Sequence, residues 1–198
     1  RTEPRMAVVP WTKVGGTEIV ATGFSKTFVK EVFINPKTGK PDDYYFFAPK
    51  NRRAPTIIFP VTVDGKVIAI RQFRHGAEEV LIETPGGNPK TPEDTPEQVA
   101  RIELEEETGY RAGEIIVLGK GTVWFEPCSY KIGFHPILAM DCEKVSDQAL
   151  DESELLEWEL IPMDEWIKMI HSGEICDSKT ITVTFLALPH LQANIIVP

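Results

Sequence analysis

The spacing of apolar and polar residues predicts a chain of many short strands interrupted by two clear helices. Thr17 to Phe47 reads as antiparallel strands: Phe24 to Ile34 is rich in aromatic and β-branched residues, Asn35-Pro36-Lys37-Thr38-Gly39 is a turn, and Asp43 to Phe47 is the returning strand. Thr56 to Thr62 and Lys66 to Phe73 flank Asp64-Gly65, a strong hairpin signal. Val80 to Thr84 is a short strand leading into Gly86-Gly87, and Glu114 to Leu118, Ile132 to Met140 and Leu155 to Ile161 are further strands. Helical spacing runs from Pro96 to Thr108 and from Met163 to Ser172, where Gly173 ends it. Ser178 to Leu191 is ambiguous, since its Thr, Val and Ile content favours strand. The polar, basic stretch Pro49-Lys50-Asn51-Arg52-Arg53 is a candidate boundary. Strands alternating with helices point to an α/β (α+β) fold, a mixed sheet between helices.

The first of these helices carries the chemistry. Thr95 is a natural N-cap, Pro96 fits the first helical position, and Gln98 closes a capping box. Near the other end stands Glu103-Leu104-Glu105-Glu106-Glu107, followed by Thr108 and a Gly109 suited to the left-handed stop. Glu103, Glu106 and Glu107 are spaced i, i+3, i+4, so their carboxylates share one face and repel. They also face the negative end of the helix dipole. A plain acidic surface helix would explain such a cluster in isolation. A hard divalent cation with a preference for oxygen ligands removes both objections.

The order strand, Gly86-Gly87, polar loop, capped helix, glutamate cluster, Gly109 resembles the signature of the Nudix hydrolases, G-x5-E-x7-R-E-U-x-E-E-x-G-U with U apolar. Two positions depart from it. Ile102 stands where the family carries arginine, and the helix starts one residue late after Glu93. An extra loop residue near Thr95 accounts for the shift at little cost. The alternative brings Arg101 into register and requires a π-bulge inside the helix.

The resemblance extends to one branch. Arg71-Gln72-Phe73-Arg74 and Leu81-Ile82-Glu83-Thr84-Pro85-Gly86-Gly87 are similar to the pattern of ADP-ribose pyrophosphatases and related nucleoside-diphosphate-sugar hydrolases. So are Met163-Asp164-Glu165-Trp166, Ser172-Gly173-Glu174-Ile175 and Asp177-Ser178-Lys179-Thr180. The resemblance implies a small N-terminal antiparallel β region over residues 1–53 that forms a homodimer, a Nudix domain over 54–198, and a terminal helix. It implies Mg²⁺ or Mn²⁺ as cofactor, held by Glu103, Glu107, Glu106 and the carbonyl of Gly86. Arg74, Glu83 and Pro127 are the candidate substrate residues, although Glu83 equally reads as a fold partner of the glycine loop. Where the branch has a Ser-Pro-Gly turn, this chain has Glu126-Pro127-Cys128-Ser129-Tyr130 without the glycine. Trp124, Phe125 and Tyr130 read either as core or as stacking platforms. The resemblance implies a separate general base in the acidic loop Asp151-Glu152-Ser153-Glu154, which otherwise reads as a solvated turn, with Glu154 the first choice, Glu152 the second, and Glu106 a further catalytic candidate.

Composition narrows this further. At 198 residues the chain can bury a core, and a net charge of −9 excludes a broad basic surface for nucleic acid. It leaves room for a small nucleoside diphosphate substrate, because a bound metal inverts the local field. Cys128, Cys142 and Cys176 form no CxxC pair and fit a reduced, cytoplasmic compartment, and no apolar run matches a membrane span. The chain opens on Arg1, and Met6 is a candidate natural start. The expected activity is hydrolysis of the diphosphate of ADP-ribose or a nucleotide sugar to a nucleoside monophosphate and a sugar phosphate. The competing readings are a Nudix hydrolase of a dinucleoside polyphosphate or coenzyme, and a low-turnover regulatory domain, the latter motivated by Ile102.

Overall fold

The computed structural model describes residues 8–23, 26–50, 53–152 and 154–191. The start at Met6 and the aromatic side chain of Phe24 lie outside the described residues. The chain forms two compact units, Arg1–Arg52 with Glu126–Ile132, and Arg53–Phe125 with Gly133–Pro198.

The first unit is an antiparallel meander of β1 (Thr12–Thr22), β2 (Lys26–Ile34) and β3 (Pro41–Pro49), with β2 in the middle. The sequence pattern placed the first strand later, from Thr17; Gly15 at φ 70° and two register shifts in the β1–β2 pairing obscure its alternation. Cross-strand aromatic pairs hold β2 to β3, with Phe28 stacked on Tyr45 at 5.7 Å and Phe33 edge-on to Tyr44 at 5.6 Å. The turn Glu126–Ile132 docks on β3: the Phe47 N–H donates to the Ser129 carbonyl at 2.8 Å and the Lys131 N–H to the Phe47 carbonyl at 2.9 Å. Tyr130 lies against Phe47 at 5.5 Å.

A buried carboxylate, Glu31, sits in the middle of this sheet. Lys13 of β1 donates to its Oε1 at 2.6 Å, Thr17 to the same oxygen at 2.6 Å, and Lys131 to Oε2. Burial alone would raise the Glu31 carboxyl, but the two ammonium groups and the hydroxyl outweigh it and hold it down at about 2.

The second unit is built on a mixed sheet of order β10-β11-β4-β5-β12, comprising β4 (Thr56–Thr62), β5 (Lys66–Arg74), β10 (Val123–Trp124), β11 (Gly133–Lys144) and β12 (Leu156–Pro162). β6 (Glu79–Glu83) pairs with β5, β7 (Gly86–Gly87) with β4, and β8 (Tyr110–Arg111) and β9 (Glu114–Val117) with β11. β4 runs parallel to β11 and is buried along its whole length, so it reads as a continuous apolar run. Its side chains alternate between two cores. Ile58 joins Ile68, Ile137, Ala100 and Leu104 on the face covered by α1 (Pro96–Thr108). Ile57, Phe59 and Val61 join Trp166, Met169 and Val183 on the face covered by α2 (Met163–Ser172) and α3 (Ser178–Leu191). The result is the mixed sheet between helices that the patterning predicted.

The ambiguous segment is α3, a helix against its β propensity. Asp177 Oδ2 accepts the Thr180 N–H at 2.9 Å as an N-cap, and Thr180, Val183, Thr184, Ala187 and Leu191 form a buried stripe at helical spacing. The Trp166 indole donates to Thr184 Oγ1 at 3.0 Å, which gives a β-branched polar residue a partner inside the core. Among the described residues no helix is long and apolar enough to cross a membrane.

Glu31 yields a pH prediction. A carboxyl lowered from 4.5 to about 2 contributes stability that is present above pH 4.5 and lost as pH falls toward 2. Thermal unfolding followed by circular dichroism should show a wild-type Tm that drops across that window. Glu31→Gln should lower the Tm at pH 7 and flatten the drop; an unchanged acid limb in that variant contradicts the assignment.

Candidate active site

The local sequence of α1 builds one wall of the site. The Gln98 N–H donates to Thr95 Oγ1 at 3.3 Å while the Thr95 N–H donates to the Gln98 side chain at 2.9 Å, so the capping box is complete. The helix is unbroken α from Pro96 to Thr108, and the extra residue therefore lies in the preceding loop, not in a bulge. Val99, Ala100 and Leu104 fix its buried face, which turns Glu103 and Glu107 inward. Gly109 at φ 72° ends it, and a Cβ there would lie 2.2 Å from the Ser146 carbonyl oxygen.

The segment after β11 satisfies the last carbonyls of that helix. Ala149 N–H donates to the Glu106 carbonyl at 2.8 Å, Gln148 Nε2 to the Glu107 carbonyl at 2.6 Å, and Lys144 Nζ to the Thr108 carbonyl at 2.8 Å. Lys144 also lies over the Trp158 ring at 4.3 Å. The acidic loop that follows is thus tied to the helix that carries the glutamates.

The glycine strand forms the opposite wall. Gly86 and Gly87 pair with Ile57 and Thr56, and at Gly86 the neighbouring backbone leaves no room for a side chain. A Cβ on Gly86 would lie 2.4 Å from the Thr56 carbonyl oxygen, and one on Gly87 would lie 2.2 Å from the Glu103 carboxyl carbon. The Gly86 N–H donates to Glu107 Oε2 at 2.9 Å. Just upstream, the Thr84 N–H donates to Thr180 Oγ1 at 3.1 Å, so α3 holds the approach to the glycines.

The electrostatics follow from this burial. Desolvation pushes the Glu107 carboxyl up to about 8, against the pull of the Gly86 N–H, with Glu103 and Glu154 adding negative charge nearby. Desolvation likewise raises Glu103 to about 7, helped by Glu106, Glu154 and Asp151. Lys90 and Arg74 lower Glu103 and Glu107, respectively, only through space. Glu106 is half-exposed, and both its oxygens accept from Lys90 Nζ at 2.9 Å.

Arg74 Nε and Nη2 both donate to Glu83 at 2.6 Å, and Glu83 is buried, with Lys179 Nζ 3.8 Å away. Glu154 closes a turn in which its N–H donates to the Asp151 carbonyl at 2.9 Å and the Asp151 N–H donates to its carboxylate at 3.2 Å. Glu152 is exposed in the same turn, and Pro127 belongs to the first unit. Ile102 is 41% exposed, and Arg101 Nη1 donates to the Ala112 carbonyl at 3.0 Å. Trp124 is exposed, whereas Phe125 packs against Phe134 at 5.2 Å. Lys90, Lys144 and Gln148 were not readable as site residues, because their partners are distant in sequence; Thr180 was visible only inside the Asp177-Ser178-Lys179-Thr180 run.

Among the described residues no three His, Cys, Asp or Glu side chains form a ready-made metal cage. The donor set nevertheless suits a hard cation: two buried carboxylates, a third beside them, and a glycine strand whose missing Cβ leaves space at Glu103.

Residues 50–181 match the NUDIX domain family, and the chain belongs to that family. It is 34% identical to an ADP-ribose pyrophosphatase of Bacillus subtilis over 125 residues, 62% of this chain and 65% of that protein. It is 32% identical to a GDP-mannose pyrophosphatase of Salmonella arizonae over 146 residues, 69% of this chain and 74% of that protein. A methanol dehydrogenase activator of Bacillus methanolicus is 30% identical over 68% of this chain and 70% of its own length. The chain thus spans 65% to 74% of the length of these relatives, two of which are pyrophosphatases. A crystal structure of an ADP compounds hydrolase shares the fold, with a TM-score of 0.82 at 21% identity over 97% of this chain and all of that one.

The two glycines should respond differently to a methyl group. Gly86→Ala meets fixed backbone and should lower the Tm by several degrees, whereas Gly87→Ala meets the movable end of Glu103 and should fold near normally with Glu103 displaced. Differential scanning calorimetry separates the two, and equal destabilisation would contradict this geometry.

Proposed function

We propose that the chain hydrolyses the diphosphate linkage of ADP-ribose or a related nucleoside diphosphate sugar, releasing a nucleoside monophosphate and a sugar phosphate. The observation that carries this reading is the pair of buried carboxylates, Glu103 and Glu107, gathered against the glycine strand. Glu103, Glu107, Glu106 and the Gly86 carbonyl would hold Mg²⁺ or Mn²⁺. A bound divalent cation would screen the diphosphate, polarise its P–O bonds and make the attacking water more acidic.

The chain's own residues supply the rest. Burial strips water from Glu103 and Glu107 and disfavours their charged forms, so a bound cation would restore the charge that desolvation opposes. Glu154 is the proposed base that takes the proton of the attacking water, and its charge is felt at both Glu103 and Glu107. That influence favours Glu154 over Glu152. Arg74, held rigid by its two bonds to Glu83, offers its half-exposed guanidinium to the phosphates or sugar. The kinship with pyrophosphatases of ADP-ribose and GDP-mannose supports the substrate class. The free cysteines at 128, 142 and 176 support a reduced, cytoplasmic setting.

A screen of nucleoside diphosphate sugars with Mg²⁺ and Mn²⁺, reading phosphate release after phosphatase coupling, should show hydrolysis of ADP-ribose or a near relative. Glu107→Gln should cut turnover by orders of magnitude at an unchanged Tm. Near-normal turnover in that variant removes the metal-site reading, and no hydrolysis of any diphosphate by the wild type promotes the regulatory one.

The first unit is the proposed homodimer interface. β1 is exposed along its length and carries Val14, Ile19 and Val20 to solvent, while Tyr44, Tyr45 and Phe47 of β3 are exposed as well. Light scattering at micromolar concentration should give twice the chain mass; a monomer counts against it.

A further inference from the structure

We infer that Lys90 is a positioning residue for the carboxylate cluster, holding Glu106 in place and supplying positive charge that the last turn of α1 lacks. The inference rests on the metal-dependent reading of the cluster given above. Glu103 and Glu106 lie one turn apart, and their charges repel. The last turn of α1 contains no basic residue. Ile102, four residues before Glu106 on the exposed side, brings none, and Arg101 is engaged at the Ala112 carbonyl.

The cation arrives from the loop between β7 and α1. Lys90 Nζ sits 2.9 Å from both Glu106 oxygens, across 16 residues of sequence. An ammonium bonded to both oxygens holds the carboxylate group in place beside the loop, by charge as well as by hydrogen bonds. Glu106 and Lys90 act on Glu103 with opposite sign, so the lysine offsets the repulsion inside the cluster.

The loop is built to deliver this side chain. Arg53 Nη1 donates to the Lys90 carbonyl at 3.0 Å and to the Pro89 carbonyl at 3.3 Å. Immediately after, the Thr91 N–H and hydroxyl both donate to the Asp94 carboxylate at 2.7 Å. Lys90 therefore starts from anchored backbone, and less entropy is lost in making the pair than for a lysine on a free loop.

Two measurements on the full chain test this. The first is a metal-free cycle of Lys90→Met, Glu106→Gln and the double variant by thermal unfolding, in which the Tm shifts should be non-additive. The second is Mn²⁺ binding read from the paramagnetic resonance signal of the free ion. Lys90→Met should weaken Mn²⁺ binding about two- to fivefold, the range a half-exposed ion pair supports. Lys90→Arg should retain affinity, and adding Ile102→Arg to Lys90→Met should recover it, because an arginine there reaches Glu106 at i, i+4. Additive Tm shifts, Mn²⁺ binding in Lys90→Met as tight as or tighter than in the wild type, or failure of both arginine rescues overturns the inference. A wild-type protein that binds no Mn²⁺ sinks the metal reading itself, and the metal-free cycle then decides Lys90 alone.

Discussion

Carboxylates remain buried only where hydrogen bonds or positive charge compensate the lost water. Glu107 meets that constraint in part, and Glu103 is buried by the same close approach of α1 to the glycine strand. One accepts the Gly86 N–H, and the other occupies the space that a side chain at Gly87 would fill. That approach requires β7 to lie tight against β4, which in turn requires β4 to be buried between two helical layers. The capping box, the left-handed Gly109 and the Thr180 hydroxyl all hold parts of the same contact. Desolvation nevertheless raises both carboxyls, because the groups around them offset burial only in part.

Among the described residues, positive charge is bonded to the cluster at its half-exposed member, Glu106, and not at Glu103 or Glu107. Arg74 is committed to Glu83, Lys90 to Glu106, and Lys144 to the end of the helix. Each neutralises a neighbour or a helix terminus and leaves the Glu103 and Glu107 carboxyls without a bonded basic side chain. A lysine or arginine directly on those oxygens would stabilise the folded chain and occupy the place where a metal is proposed to bind.

Much of the fold was legible because its signals are local. The Asp64-Gly65 hairpin, the Thr95–Gln98 box and the Gly109 and Gly173 stops each depend on residues a few positions apart, and the helices α1 and α2 fall where those signals put them. α3 was not legible from propensity, because burial of its Val183–Ala187–Leu191 stripe against Trp166 and its neighbours outweighs the β preference of its Thr, Val and Ile residues. The early start of β1 was hidden by glycines and register shifts that break the alternation.

The sequence by itself determined that three glutamates share a helix face, that two glycines precede them, and that no arginine stands at Ile102. Helical geometry makes those statements without reference to any other part of the chain. Only the tertiary structure decided which carboxylates are buried, that the extra residue lies in the loop, and that Lys90 and not Arg101 reaches Glu106. It also decided that the acidic loop is tied to the helix end through Gln148 and Ala149. These depend on how strands and loops far apart in sequence are packed together, and burial, which sets both desolvation and the reach of a charge, is a property of that packing.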